Sequence, residues 1–445
     1  MGIAMTEESR RSFVHWLRDV VGRSYGERGL GGMLAQGPRF VREDLLGERL
    51  RWALLTRPLR GRLLDRASLR QRAAAADRLW DDDRPDPFTI DALEGQDLPD
   101  PLTAETGTVR PERPFVAELR DVRLLGADAI GLDDGQVVLE TASASEMFLY
   151  FALSDLYETL SVGRSRLAAY RAYREVLDSR SSMRFPDPPD GDPPKTAVAF
   201  IPYWRNYYHW TIEFLPKVRL LERYEAETGR QPTILLEPDP PAWILESLRL
   251  TGWDVEDCTE WIWPEARIDR LVVPVHRNHF IAPHDSRFGD DFNPVNEDVI
   301  WLAERMQSNV PSVDGGEFSR RVYVSRKDTT HRPVANEAAV EDTLASLGFE
   351  SYTLTEYSIS DQIRLFAGAE AVVAPHGAGL VNVLHSSNLS VLELFPENNV
   401  EPYYFCLARQ LGFEYDCGVY ATRDEAMVVD TDDLRERATR LIGTP

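Results

Sequence analysis

From Ala197 onward the chain alternates short apolar runs with amphipathic ones, and nothing else in it restricts the fold so strongly. AVAFI at 197–201 precedes helical periodicity from about Tyr208 to Glu227. TILLE, a helix near 242–250 and the strand LVVPV follow. After Glu297 the alternation restarts with a helix to about 307, strand RVYVS, helix 336–347 and strand SYTL. It continues through helix 360–368, strand AVVAP, helix 379–385, strand VLELF, helix 401–411 and strand EYDCG. Such repeated β–α order predicts parallel sheets with helices on both faces. Two runs of it predict an α/β protein of two doubly wound domains facing a cleft.

The expected organisation is an arm over 1–80, a linker over 81–113, an N-terminal α/β domain over 114–296 and a C-terminal one over 297–445. In the linker, DDDRPDPFTIDALEGQDLPDPLTAETGTVRPER is rich in Asp, Pro and Thr and has no periodicity. From Phe115 short alternating stretches separated by Gly and Asp read as a meander of strands. Helical periodicity occupies 145–180, and FPDPPDGDPP runs from Phe185 to Pro194 as a second Pro- and Asp-rich break. In the arm, Glu43 to Leu69 repeats leucines at three- and four-residue spacing with arginines between them, a basic amphipathic helix broken near Pro58. That helix either packs on the body, its arginines meeting acidic neighbours, or lies on an anionic lipid surface.

Charge separates the arm from the rest. The first 80 residues hold sixteen arginines against nine acidic residues, whereas the whole chain is at −23. Only Lys195, Lys217 and Lys327 are lysine among 50 basic residues. An anionic surface stripped of lysine resembles the proteins of salt-loving archaea, where dissolved salt shortens the screening length from ~8 Å to ~3 Å. The acidic balance argues against nucleic acid, which requires a basic face. No apolar run reaches the ~18–20 residues of a membrane span, and the start of the chain, MGIAMTEESRRSFVHWLRDV, has no apolar leader core. Cys258, Cys406 and Cys417 form neither a disulfide framework nor a zinc spacing. The expectation is a reducing cytoplasm, with a peripheral position on the inner face of the cell membrane through residues 43–69.

Three stretches can carry chemistry. In AVVAPHGAGLVNVLHSSNLSVLEL a buried strand ends at Pro375-His376-Gly377-Ala378-Gly379, where backbone N–H groups and a helix start can meet an anion. It departs from GxGxxG, so a dinucleotide fold is a poor match, and a tight turn with a capping histidine is the plain alternative. In RVYVSRKDTTHRPVANE a strand ends at Ser325-Arg326-Lys327 and a loop carries His331 and Arg332. Separated cations there can neutralise a diphosphate leaving group; otherwise this is a solvated loop. In RNYYHWTIEFLPKVRLL, His209 and Glu213 stand four apart on one helical face. They can act as a general base with its carboxylate, or simply satisfy each other. Tyr207, Tyr208 and Trp210 supply flat faces of the kind sugars stack on.

In this order the stretches resemble glycosyltransferase family 61, whose pattern runs through Asn206 to Trp210 with Glu213, then Ser325, Arg326, Arg332, Asn336 and Glu337. It closes on Pro375 to Leu380 with Asn382, and on Glu393. The departures are Ala374 for a usual glycine and Val381 for a frequent threonine or alanine. The resemblance spans roughly 115–420 and implies a GT-B-like fold. It also implies inverting transfer from a nucleotide-sugar donor to a glycan, glycolipid or glycoprotein acceptor, with neither cofactor nor required metal. On it, His209 and Glu213 are the catalytic pair, with Asn206, Tyr207, Tyr208 and Trp210 lining the acceptor side. Arg326, Lys327, Arg332, His376, Gly377, Ala378 and Gly379 meet the donor diphosphate, while Asn382 and Glu393 meet its nucleoside or sugar. Asp430-Thr431-Asp432 imitates a metal-binding DxD, but it opens the helical run DLRERATRLI and reads better as a helix cap. The competing reading is a non-catalytic glycan- or nucleotide-sugar-binding component of a polysaccharide assembly machine.

Overall fold

The computed structural model describes residues 46–59, 61–83, 86–91, 93, 98–109, 112–143, 146–178, 191–202, 205–276, 297–312, 318–329 and 331–443. The start of the arm, to residue 45, and most of the stretch Phe185–Pro194 lie outside the described residues. In chain order the first strands are β1 (Leu63–Leu64), β2 (Leu79–Asp81), β3 (Phe88–Ile90), β4 (Gly107–Val109), β5 (Phe115–Leu125), β6 (Ile130–Asp133) and β7 (Gln136–Val138). There follow β8 (Thr196–Ala199), β9 (Thr233–Leu236), β10 (Cys258–Glu260) and β11 (Glu265–Val275). The second half holds β12 (Arg321–Val324), β13 (Glu350–Tyr352), β14 (Ala371–Pro375), β15 (Ser390–Pro396) and β16 (Glu414–Tyr420).

The second sheet is wholly parallel, in the order β13-β12-β14-β15-β16. Its strand order reverses between β12 and β14, and at such a switch point the crossover helices diverge and leave a crevice at the carboxyl edge. The first sheet is mixed, β1-β7-β6-β5-β11-β8-β9-β10, with β2 beside β5. Only β11-β8-β9-β10 is the expected doubly wound part, and its reversal lies between β8 and β11. Next to it β5-β6-β7 is the antiparallel meander, its connections too short for a crossover, and β1 adds parallel to β7 at the edge. Asp134-Gly135, both at positive φ, turns β6 into β7 in a two-residue loop. The architecture is the GT-B-like pair of α/β sheets.

Three expectations change. The described end of the arm is not a separate unit: β1 pairs with β7 and β2 with β5. Leu55, Leu59, Leu64 and Leu69 are buried against the body, and Arg66 reaches Glu140 at 2.8 Å and Glu112 at 3.0 Å. These four leucines are therefore spent on packing and are not what a lipid surface would meet, while Leu54 stays exposed. The expected linker is a strap, in which β3 pairs antiparallel with β4 and Ile90, Leu102 and Val109 enter the core of the second sheet. Finally, the boundary at 296/297 falls before a helix shared by both halves. In Glu297–Asn309, Leu302 and Met306 join the core of the first sheet, Val299 and Ala303 that of the second.

The helix expected from Tyr208 to Glu227 is three pieces: Tyr207–His209, a π turn Trp210–Phe214, and Lys217–Thr228. Pro216 explains the break, since its ring crowds the carbonyl four residues back and it has no N–H to donate. A π turn absorbs that by the longer bond from Leu215 N–H to the Trp210 carbonyl, 3.0 Å. Likewise the helix after β14 is 3₁₀ over Ala378–His385, with the Asn382 side chain bonded back to the Gly379 carbonyl at 3.2 Å.

Candidate active site

Both motif-bearing turns leave the carboxyl edges of parallel strands at a reversal of strand order. After β8 the chain runs into Asn206, whose side chain accepts the His209 N–H at 3.1 Å and so starts the short helix. His209 Nδ1 then lies 2.5 Å from Glu213 Oε1, and Glu213 is buried. Across the reversal, His276 follows β11 and its Nε2 meets the Glu213 carbonyl at 2.7 Å, bracing the π turn. A carboxylate on Nδ1 fixes the tautomer and leaves Nε2 as the nitrogen that takes a proton.

In the second sheet, β12 ends at Ser325 and β14 at Pro375, the two strands flanking the switch point. Buried Glu337 anchors the first end. Its Oε1 accepts from Ser325 Oγ at 2.7 Å, the Arg326 N–H at 2.8 Å and the Tyr323 hydroxyl at 3.3 Å. The Arg326 guanidinium lies over the glycine turn, donating to the His376 carbonyl at 3.3 Å and the His331 carbonyl at 2.5 Å. A Cβ at Gly377 would overlap its Nη1, and one at Gly379 would meet Leu354 Cδ1 at 2.8 Å, so both glycines are needed for close approach. Burial first, and then the charge of Arg332, lower the pKa of Arg326, the mark of two guanidiniums sharing one small volume. The Nε atoms of Arg326 and Arg332 are buried without a partner among the described residues.

His376 sits between two carboxylates, with Nδ1 2.6 Å from Glu393 Oε1 and Nε2 3.4 Å from Glu401 Oε2. Burial alone would lower its pKa, but the bonds to Glu393 and Glu401 outweigh burial and raise it. Burial pushes Glu401 up, yet His376 and Arg332 hold its carboxyl below the ordinary value. With the Asn399 amide turned to suit its neighbours, its oxygen accepts from Arg332 Nη1 at 2.5 Å and its nitrogen donates to Glu401 at 2.9 Å.

Aromatic rings join the two clusters. Tyr208 packs on Tyr403 at 5.3 Å and Tyr404 at 5.8 Å between centroids, and His376 on Tyr404 at 5.5 Å. The Tyr207 hydroxyl donates to Asn382 Oδ1 at 2.9 Å. A His–Glu pair on one half is thus linked through the Tyr208 and Tyr404 rings to His376, beside the guanidiniums, on the other. This arrangement can take a proton on one side and receive a leaving anion on the other.

Residues 207–391 match the family described as Glycosyltransferase 61. The chain carries a glycosyltransferase 61 domain. A search of curated proteins found no match to it. The match begins inside the Asn206–Trp210 motif and ends on β15, so it holds His209, Glu213, Arg326, Arg332 and the His376 turn of this glycosyltransferase.

Several expected roles in the transferase are altered by the geometry. Lys327 turns away: its Nζ lies 2.5 Å from Glu341 Oε2, and Glu341 also accepts from Ser351 on β13. That carboxylate, one helix turn past Glu337, captures the ammonium on the outer face. Trp210 is fully buried with its indole N–H on Ser247 at 2.8 Å, which removes it as a stacking platform. Asn206 is a helix cap, and the Tyr207 hydroxyl is committed to Asn382; of the four acceptor-side residues Tyr208 alone keeps a half-buried ring in the aromatic bridge. Asn382 and Glu393 are both at 0% exposure. Asn382 also donates to Gln362 at 2.9 Å, and Glu393 accepts from the Tyr415 hydroxyl at 2.6 Å, so both side chains are committed inside the protein, beside Tyr207 and His376. Asn336 pins the C-terminal segment through the Val429 N–H and carbonyl, and Asp430 caps the helix Thr431–Leu441.

Sequence reasoning passed over Glu401, Asn399, Tyr403, Tyr404 and His276. His276 and the ENNVEPYY run both follow apolar strands directly, and a polar group at a strand's carboxyl end was the signal available.

Proposed function

We propose that this glycosyltransferase is inverting and metal-independent, moving a sugar from a nucleotide-sugar donor to a hydroxyl of a glycan or glycoconjugate in surface-polysaccharide or glycoprotein-glycan synthesis. The observation that carries it is the His209–Glu213 pair at 2.5 Å on one half, linked through the Tyr208 and Tyr404 rings to His376, beside Arg326, on the other. In the step, His209 Nε2 takes the acceptor O–H proton as that oxygen bonds to the anomeric carbon. The bond from that carbon to the phosphate oxygen breaks on the opposite face, and its electron pair leaves on the nucleoside diphosphate. Arg326, Arg332, the His376 imidazolium and the N–H groups at Gly377–Gly379 receive the developing charge. Glu213 stabilises the imidazolium that forms at His209.

Release of nucleoside diphosphate from a panel of nucleotide sugars, with the anomeric configuration of the product followed, tests the reading. Activity should survive EDTA and fall with Arg326→Ala by an amount equivalent to ~2–4 kcal/mol in the transition state. Loss on chelation with recovery in manganese would replace these cations by a metal. His209→Ala should cost ~10²–10⁴-fold, Glu213→Gln less, and the pair together little more than His209→Ala, because groups acting as a unit are not additive. If Glu213→Gln is the more damaging, the carboxylate is the base.

A further inference from the structure

We propose that the face formed by the end of the helix Leu46–Thr56, the turn after Ser161 and the helix Arg166–Val176 docks on an anionic lipid surface. Burial of Leu55, Leu59, Leu64 and Leu69 leaves Leu54 of the same stretch outside, beside apolar side chains from two other segments. Among the described residues six large hydrophobic side chains are exposed, and three of them gather here: Leu54 at 47%, Val162 at 78% and Leu167 at 61%. The elements carrying them are pinned together. The Tyr170 hydroxyl donates to the Leu54 carbonyl at 3.3 Å, the Tyr173 hydroxyl to the Leu55 carbonyl at 2.7 Å, and Arg51 pairs with Glu158 at 2.5 Å. Val162 stands at the tip of a tight turn made by Gly163 at φ 69° and closed by the Ser165 cap. A valine so placed gains nothing from the fold.

The charge around these tips selects the occupant. Arg164 is exposed beside Val162, and the helix Arg166–Val176 holds Arg166, Arg171 and Arg174 against one acid, Glu175. In a chain at −23 this is a local reversal of sign. Two copies meeting on the face would oppose arginine to arginine, whereas anionic headgroups complement it while the apolar tips enter the acyl boundary. The helix Glu146–Ser161 then acts as a spacer. Phe148 near its start packs edge-on against His209 at 6.5 Å, and thirteen residues at about 1.5 Å each put the far end roughly 20 Å away. With His209 as the base, a reading on which this distance rests, a lipid-borne acceptor would have to project its sugar about that far.

The test is co-sedimentation of the full chain with phosphatidylglycerol vesicles and with phosphatidylcholine vesicles. Phosphatidylglycerol should be preferred. Leu54→Asp/Val162→Asp/Leu167→Asp and, separately, Arg164→Glu/Arg166→Glu/Arg171→Glu should each weaken binding at least ten-fold. Turnover on a soluble acceptor should be unchanged in both, which also shows them folded. If one set fails to fold, the other carries the test. His209→Ala should lose turnover and keep vesicle binding, so failure of the base reading and failure of the docking face are told apart. Equal binding to both lipids, or unchanged binding in a folded variant, overturns the proposal. So does a halved mass of the aspartate variant in light scattering with vesicle binding unaltered, which would give the face to a second copy.

Discussion

At the scale of single residues the candidate site depends on close contacts that a larger side chain would displace. The Arg326 guanidinium occupies the space a side chain at Gly377 would need, so Gly377→Ala must displace the cation from the turn. Donor affinity should fall about as far in Gly377→Ala as in Arg326→Ala, and the double variant should be little worse than either. Additive losses in calorimetric titration with a nucleoside diphosphate would mean the two act separately. His376 gives a pH dependence of known sign. Its pKa is raised by Glu393 and Glu401 against the lowering effect of burial, so the imidazolium persists above its ordinary range and is lost as pH rises through the raised value. Donor affinity should therefore weaken on the alkaline side, and Glu393→Gln should shift that weakening to lower pH. A profile that does not move would leave His376 no part in charge stabilisation.

Among the elements, the strap behaves least as its composition suggests. It carries Glu105, which is 3% exposed with neither oxygen bonded among the described residues; burial pushes its carboxyl up to about 7 from the ordinary 4.5. A carboxyl raised in the folded state is folded at no penalty while protonated, and stability is lost as pH climbs from the unfolded value toward the folded one. The shift corresponds to about 3 kcal/mol lost between roughly pH 4.5 and 7. Glu105→Gln should escape that loss: its stability relative to the parent in denaturant titrations should rise across this window and level off above it. A difference independent of pH would show that the carboxyl is hydrated. The strap packs Ile90, Leu102 and Val109 into the core beneath Tyr404 and Phe405, so weakening it should also loosen the aromatic bridge to Tyr208.

For the whole molecule, two quantities matter: the contact between the halves and the net charge. Tyr207→Phe removes the hydroxyl that Asn382 accepts at 2.9 Å and leaves a fully buried amide oxygen short of a partner, costing about 1–3 kcal/mol. Because that bond joins the motif after β8 to the helix after β14, turnover should fall while each sheet keeps its own fold by circular dichroism. The charge of −23 repels itself in the compact state, and the repulsion is screened over ~8 Å in physiological salt but ~3 Å near 1 M. Melting temperature should accordingly climb as KCl is raised from ~0.1 M to multi-molar concentration. A flat response would remove the halophilic reading of the composition.

Alternation of β and α segments, the three motifs and the helix cap at Asp430 were legible in the chain because each is local: periodicity, turn chemistry and cap residues act over a few neighbours. The pairing of His209 with Glu213 was legible for the same reason, one helical turn separating them. What the sequence could not decide was which side of its element each polar group faces. Lys327 and Arg326 are adjacent, yet one is taken by Glu341 outside and the other lies over Gly377 inside. Nor could it show that Asn382 and Glu393 are wholly buried, or that Glu401 returns to His376 from beyond β15. The leucines of the arm had two possible hosts, lipid and protein, and only the pairing of β1 with β7 beside them assigned most to the protein. Local rules determine which elements form and where they end; the orientation of a side chain between two hosts depends on free energies summed over partners distant in sequence, and those partners exist only once the sheets have assembled.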